Sequence, residues 1–146
     1  MIIGVGVDLC RVEPIRRSLD HFGKDWLDEV FTEDEQSHLG RAEQLAQRAA
    51  MGFALKEACS KAIGTGFARG VRRQQFVITV LAMGCSVRLT GAAKRRAVEL
   101  CGAPALVQLH TQVRSTPRWV TALAILQSAS SSASFSGFDL LPHLPD

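Results

Sequence analysis

Three absences narrow the class of protein before any motif is considered. No stretch of the 146 residues approaches about 18 consecutive apolar side chains, so the sequence predicts no membrane-spanning helix. The apolar start Met1–Val7 is too short for the core of a signal peptide, lacks a leading basic segment and is followed at once by Asp8. We therefore expect a protein without membrane contact that stays in the cytoplasm.

Paired cysteines are also missing. The four cysteines form no C-x-x-C pair and have no histidine at zinc-ligand spacing. They are Cys10, Cys59, Cys85 and Cys101. The sequence thus predicts neither a disulfide framework nor a zinc site, and it favours a reducing compartment.

A strong excess of one charge is the third absence. The formal net charge of +3 is mild, which argues against non-specific nucleic-acid binding but allows a local basic face toward an acidic partner or a phosphate. The length allows one core and is too short for two comfortable domains. We expect one domain over residues 1–127 and a serine-rich, mobile extension over residues 128–146.

Hydrophobic periodicity predicts an α+β fold in which one layer of sheet packs against helices. Thr32–Glu35 is typical of a capping box, so a helix should begin there and run past Leu39. Further helices are predicted after Pro14 up to Gly23, from about Ala46 to Ile63, and from Ala92 to Cys101. Strands are predicted at Met1–Asp8, in a hairpin of 76–81 with 87–89, at Ala105–His110 and at Trp119–Leu126.

Charged residues at three positions are candidates for chemistry. Asp8 shares one face of the first predicted strand with Gly4 and Gly6, and Glu57 and Lys61 share one face of a largely apolar helix. Each feature has an ordinary structural interpretation. Asp8 can be a turn or cap residue, and Glu57 with Lys61 can be a surface ion pair.

Taken together, these residues have the composition of a Mg²⁺–diphosphate site. Mg²⁺ prefers hard oxygen ligands and completes its shell with one or two carboxylates, water and substrate phosphate. Lys61 could contact phosphate oxygens, and so could backbone amides of the loop Gly64, Thr65 and Gly66. The same glycines also have a purely structural explanation as the end of a helix.

Three segments of the sequence resemble the holo-acyl-carrier-protein synthase family of 4′-phosphopantetheinyl transferases. They are Ile3–Leu9, Phe31–Glu35 and above all Phe53–Gly66, which contains the pattern K-E-A-x-S-K-A-x-G-T-G. The resemblance covers Met1 to about Gln127 in order and spacing, and the serine-rich tail lies outside it.

This resemblance implies transfer of the phosphopantetheine arm of coenzyme A to a serine of an apo acyl carrier protein, in fatty acid or polyketide synthesis. It implies that Asp8 and Glu57 bind Mg²⁺, that Lys61 contacts phosphate, and that these three residues form the catalytic set. Glu57 or a metal-linked water would take the serine proton. The implied fold is an antiparallel sheet packed with helices, and such enzymes commonly form trimers with coenzyme A at the subunit boundary.

Several family positions are altered. Pro14 replaces an arginine that docks the carrier protein, and Gly52 replaces the arginine before the Phe53 motif. Cys85-Ser86 replaces a Lys-Pro turn, and His110-Thr111 replaces a Ser-His pair, which displaces the histidine by one residue to the opposite strand face. Arg11, Arg16 or Arg17 could substitute for the arginine lost at Pro14.

These departures leave two other functions open. One is a catalytically inactive relative that binds carrier proteins or serves as an assembly module. The other is a different Mg²⁺-dependent phosphate-ester enzyme, because the metal set alone does not name the substrate.

Overall fold

The computed structural model describes residues 1–40, 42–81 and 84–129, and within these ranges the chain forms five strands and five α-helices. In chain order these are β1 (Ile2–Arg11), α1 (Val12–Phe22), α2 (Lys24–Val30), α3 (Glu33–Ser37), α4 (Ala42–Ala62), β2 (Phe76–Leu81), β3 (Gly84–Leu89), α5 (Gly91–Cys101), β4 (Val107–Ser115) and β5 (Trp119–Ser128). Short 3₁₀ turns at Arg73–Gln75 and Pro104–Leu106 precede β2 and β4.

The strands form two antiparallel sheets. In the larger sheet β5 lies between β1 and β4, with Asp8 opposite Ala122. The smaller sheet is the predicted hairpin of β2 and β3. The α+β class is confirmed, but the strands are divided between two sheets and do not form one layer. The two sheets stay separate because β3 and β4 are joined by a bond from the Thr111 hydroxyl to the Cys85 carbonyl and not by a backbone ladder.

Helix α4 crosses the inner face of the larger sheet at very close range. A Cβ atom on Gly6 would overlap the carbonyl oxygen of Ala58, and one on Gly4 would overlap that of Ala62. Small side chains on both partners make this approach possible, since alanines fill the buried side of α4. The fully buried ones are Ala49, Ala50, Ala54 and Ala58. The two glycines of β1 therefore fix the separation of strand and helix.

The opposite face of β1 is apolar and exposed. Val5, Val7 and Leu9 are 54%, 51% and 60% exposed, and they alternate with the glycines that face α4. In the part of the chain that the structure describes, no helix is both long and apolar enough to cross a membrane.

Most predicted elements are present, with shifted ends. Gly23 and Gly102 end α1 and α5 as predicted, and the capping box is formed, with Thr32 and Glu35 bonded reciprocally. The prediction that this helix runs past Leu39 is wrong. Helix α3 ends at Ser37, because the side chains of Ser37 and His38 both bond back to the Asp34 carbonyl.

Helix α2 was not predicted, and both strands of the C-terminal pair are longer than predicted. The division of the chain at residue 127 stays a prediction. Residues 130–146, which make up most of the predicted extension, and the hairpin residues 82–83 lie outside the described ranges.

Candidate active site

Asp8 and Lys61 are joined directly. Because Asp8 is on the same face of β1 as Gly4 and Gly6, its carboxylate lies beside α4, where it is 16% exposed. Lys61 donates from Nζ to Asp8 Oδ1 at 2.8 Å and to the Val7 carbonyl at 2.9 Å. The strand and the C-terminal part of the helix therefore place a carboxylate and an ammonium group in contact. The sequence allowed an ion pair of Lys61, but with Glu57 as its partner.

Glu57 lies one helical turn before Lys61 and forms its ion pair with a different residue, Arg73. Its Oε1 accepts a hydrogen bond from Arg73 Nη2 at 2.7 Å, and its side chain is 19% exposed. Among the described residues, no ion pair joins Glu57 to Lys61. The interpretation of these two residues as an i, i+4 surface pair is therefore wrong, because Asp8 and Arg73 offer each of them a closer partner.

Arg73 is a site residue that the sequence analysis missed. Its guanidinium carbon lies 4.2 Å from the ring centre of Phe67 and 5.3 Å from that of Phe53, so the group is stacked between aromatic faces. The 3₁₀ turn that carries Arg73 is attached to α2, since Gln74 donates to the Asp28 carbonyl at 2.7 Å. In the sequence, only its position shortly after the Gly-Thr-Gly loop could have indicated that Arg73 belongs to the site.

The two carboxylates act on one thiol. The pKa of Cys10 is raised to about 11, mainly by burial and in addition by the negative charges of Asp8 and Glu57. Geometry supports the same conclusion, because Lys61 contacts Asp8 and Glu57 lies one helical turn before Lys61 on α4. Asp8 and Glu57 therefore occupy one neighbourhood, although 48 residues separate them in the chain.

The Gly-Thr-Gly loop ends α4. Gly64 and Gly66 have φ values of +72° and +55°, and their amides donate to the carbonyls of Lys61 and Ser60. These two amides are thus committed to the helix end in this structure. No atom lies within 4 Å of a Cβ placed on either glycine, so the loop surface is open to a ligand. Binding by Gly64, Thr65 and Gly66 stays a prediction.

The donor set fits a magnesium ion. Within the described chain, Asp8 Oδ2 and Glu57 Oε2 have no hydrogen-bond partner, while the other oxygen of each carboxylate is held by a cation. No cluster of three or more His, Cys, Asp or Glu residues forms a metal site in the described ranges. A two-carboxylate set agrees with Mg²⁺, which fills its remaining positions with water and phosphate.

At Gly52 the described packing excludes the arginine of the family. A Cβ atom there would lie 2.5 Å from Phe31 Cε1 and 3.5 Å from Ile78 Cδ1. The Phe31 ring, which is buried, occupies the space that a longer side chain would need. The packing of the core around Phe31 therefore requires glycine at position 52.

Basic residues are present near Pro14, the other position that has lost an arginine. Arg16 and Arg17 lie within 3.6 Å and 3.2 Å of Glu13 carboxylate oxygens on α1, and all three side chains are substantially exposed. Arg11 is also exposed at the end of β1. A basic surface thus survives the substitution.

The displaced histidine lies on the strand face that its position predicts. Thr111 turns inward, where its hydroxyl donates to the Cys85 carbonyl at 3.3 Å. His110 alternates to the other face of β4, opposite Ile125. Thr111 and Cys85 therefore connect two altered family positions across the two sheets.

A cavity of about 500 Å³ lies away from Asp8 and Glu57. Its walls include the apolar side chains Phe31, Met51, Leu55, Ile78 and Val113 and the basic residue Arg48. None of Asp8, Glu57 and Lys61 lines it. In a single chain, this cavity and the acidic site are therefore separate.

Comparison with known proteins places the chain in a family. Residues 4–124 match ACPS, the 4′-phosphopantetheinyl transferase superfamily. The holo-[acyl-carrier-protein] synthase of Methylobacterium nodulans is 40% identical over 131 residues, covering 88% of this chain and 98% of that protein. The synthase of Neisseria meningitidis has a crystal structure with a TM-score of 0.75 and 26% identity, covering 88% of this chain and all of that one.

A second solved structure shares the fold at lower identity. The synthase of Bacillus anthracis, in complex with CoA (3′,5′-ADP), has a TM-score of 0.71 and 23% identity, covering 88% of this chain and 99% of that one. The profile match and the extent of the Methylobacterium alignment show that this chain belongs to the holo-[acyl-carrier-protein] synthase family of the 4′-phosphopantetheinyl transferase superfamily.

Proposed function

We propose that this protein transfers the 4′-phosphopantetheine arm of coenzyme A to a serine hydroxyl of an apo acyl carrier protein and releases adenosine 3′,5′-bisphosphate. The observation that carries the proposal is the convergence of Asp8, Lys61 and Glu57 where β1 meets α4. The names of the relatives and the coenzyme A complex of the Bacillus protein support the same substrates. We propose the cytoplasm as the compartment, and fatty acid or polyketide synthesis as the pathway.

Asp8 and Glu57 would hold Mg²⁺ through the oxygens that no hydrogen bond occupies, Oδ2 and Oε2. The ion, when bound, would neutralise charge on the diphosphate of coenzyme A and favour departure of the nucleotide. Lys61 is 47% exposed, so its ammonium can reach a phosphate oxygen while it remains beside Asp8.

The chemical step is a phosphoryl transfer. The serine oxygen forms a bond to the phosphorus that carries the pantetheine arm, the bond from this phosphorus to the bridging oxygen breaks, and the hydroxyl proton leaves to a base. The protein contributes position and charge and forms no bond to the substrate. Lys61 and Arg73 place two fixed positive charges beside the two acids.

Mass spectrometry of a carrier protein tests the proposal. Incubation with coenzyme A, Mg²⁺ and an apo carrier should add the mass of the phosphopantetheine arm, and Glu57→Gln should abolish the gain. Glu99→Gln is the matched control, since Glu99 is an exposed acid on α5 that pairs with Arg96. Unchanged modification by the Glu57 variant would refute the assignment of this residue.

The carrier protein would dock on the basic surface around α1. Arg11, Arg16 and Arg17 are exposed there, and Pro14 removes only one candidate charge. The alternative of a catalytically inactive carrier-binding or assembly module has no support in the comparisons, which lead to named synthases over nearly their whole length.

We further propose that the protein works as a homotrimer. Val5, Val7 and Leu9 form an exposed apolar face on an edge strand, a surface of the kind that copies of a chain bury against each other. Assembly would also let the cavity of one copy approach the acids of another. Light scattering after gel filtration tests this: Val5→Glu should dissociate the protein, whereas Phe22→Glu, at an equally exposed apolar residue on α1, should not.

A further inference from the structure

We propose that Arg73 is a positioning residue that holds Glu57 by one oxygen and directs the other oxygen toward the divalent cation. This inference rests on the proposed function, because it takes Glu57 as a ligand of the ion. It adds a residue that neither the sequence motif nor the comparisons assign.

The contacts of Arg73 restrict Glu57 to one orientation. Nη2 donates to Glu57 Oε1 at 2.7 Å, and Nη1 lies 3.9 Å from Glu29 Oε1. The arginine side chain is only 25% exposed. Since the bond to Arg73 uses Oε1, the oxygen that remains for a cation is Oε2.

The guanidinium is itself held in place. The guanidinium carbon lies over the rings of Phe67 and Phe53, at 4.2 Å and 5.3 Å from their centres, so the planar group cannot turn without losing an aromatic contact. Phe67 is held in turn by an edge-to-face contact with the buried Phe76 at 6.1 Å. Arg73 therefore behaves as part of the scaffold and not as a mobile surface cation.

The backbone at Arg73 is anchored on both sides of the 3₁₀ turn. Gln75 accepts from the amides of Arg72 and Ala93 through Oε1, and it donates to the Gly70 carbonyl. These bonds link the turn to the start of α5. Glu57 is thus connected through Arg73 to three parts of the fold: the aromatic pair, α2 and α5.

Two effects of Arg73 on a bound cation oppose each other. A fixed carboxylate binds a metal better, and loss of such a supporting hydrogen bond costs 10- to 100-fold in affinity or activity in known sites, roughly. A positive charge near the ion repels it. Arg73→Lys keeps the charge and loses the planar guanidinium that donates to Glu57 and lies over the aromatic rings, so this variant isolates the positioning effect.

The test is a titration with Mn²⁺ alone, followed by electron paramagnetic resonance of the free ion. We expect Arg73→Lys to weaken Mn²⁺ binding about 10-fold. Arg72→Lys is the matched control, because Arg72 is exposed and precedes the turn. Phe67→Leu is the second variant. It leaves both charges in place but removes the aromatic support, so it should weaken binding in the same direction by a smaller factor.

Activity gives a second readout. If Arg73 acts through the orientation of Glu57, Arg73→Lys should raise the Mg²⁺ concentration needed for half-maximal rate about as much as it weakens Mn²⁺ binding. The rate at saturating Mg²⁺ should fall by a smaller factor, because an excess of the ion compensates for the lower affinity.

Two results would overturn the inference. Wild-type Mn²⁺ affinity in both Arg73→Lys and Phe67→Leu would show that Glu57 needs no support. Unchanged Mn²⁺ binding in Glu57→Gln would refute the metal site and with it the proposed function. If Glu57→Gln loses Mn²⁺ binding while the Arg73 and Phe67 variants keep it, this inference alone is refuted.

Discussion

The ammonium of Lys61 lies 2.8 Å from the carboxylate of Asp8, and this contact joins two residues that are 53 positions apart. Lys61 also donates to the backbone carbonyl of Val7, so the lysine is attached to the strand at two points. Asp8, the proposed ligand of the metal ion, is thus positioned by Lys61, the residue that is proposed to bind the phosphate. Strand and helix are coupled at the same place.

Replacement of Lys61 by methionine should reduce kcat/KM for coenzyme A by about 100-fold or more, because the variant removes a charge aimed at the transferred phosphate and releases Asp8. Steady-state kinetics at saturating carrier protein would measure this. Lys94→Met, at an exposed lysine on α5, is the control and should retain wild-type kinetics. A Lys61 variant with the kinetics of this control would remove the residue from the site.

The sequence was sufficient to place the acids and the lysine of the candidate site on their strand and helix faces, because strand alternation and helical spacing are local; their roles stay a prediction. Alternation put Asp8 on the glycine face of β1, and spacing put Glu57 and Lys61 on one face of α4. Which acid pairs with which cation depends on how β1 crosses the helix. Arg73 could not be found because its position depends on how its turn packs against the rings of Phe53 in α4 and Phe67 in the loop that follows.

The fold was predictable to a similar degree. Local signals such as the capping box at Thr32 and the glycine at the end of α1 identified helices correctly. Helix α2 has seven residues and no side-chain cap, so little in its sequence marks it. The end of α3 was misplaced because it depends on two side chains that compete for one backbone carbonyl.

Replacement of Gly6 by alanine should destabilise the protein by about 3 kcal/mol or more, since the added methyl would overlap the Ala58 carbonyl and backbone must move to make room. Urea unfolding followed by circular dichroism would measure the loss. A loss below about 1 kcal/mol would mean that β1 and α4 can separate at little cost.

Restoring the arginine of the family at position 52 should harm this protein. Gly52→Arg places a long side chain against the buried ring of Phe31, so we expect lower stability and no gain in coenzyme A affinity. Thermal unfolding and calorimetry measure the two effects. The double variant Phe31→Ala/Gly52→Arg should lose less stability than the sum of the single variants, because the first change removes the obstacle to the second.

The buried pair of Lys56 and Glu35 should dominate the stability of the α3–α4 junction. Lys56 is fully buried and donates to Glu35 at 2.8 Å and to the Val30 carbonyl at 2.9 Å. Glu35→Ala leaves the ammonium buried without its counter-charge, at a cost of about 3–5 kcal/mol in unfolding free energy.

Two comparisons test this assignment. Adding Lys56→Met to Glu35→Ala should recover part of the lost stability, because it removes the stranded charge. Asp28→Ala breaks the exposed pair of Lys24 and Asp28 and should have a far smaller effect, since water screens that pair. Equal losses from the buried and exposed pairs would contradict the argument.

The same lysine makes stability depend on pH in the alkaline range. Burial lowers the pKa of Lys56 below its ordinary value of 10.5, against the opposing influence of Glu35. Between the lowered pKa and 10.5 the unfolded chain binds the extra proton, so the free energy of unfolding should rise with pH in this window. Subtracting the stability of Lys56→Met at each pH removes the contribution of the buried cysteines, whose raised pKa values act in the opposite direction. The free energy of unfolding of the wild type minus that of Lys56→Met should therefore increase as pH approaches 10.5. Urea titrations at several pH values measure this difference. A flat or falling difference would show that the buried ammonium carries no desolvation cost.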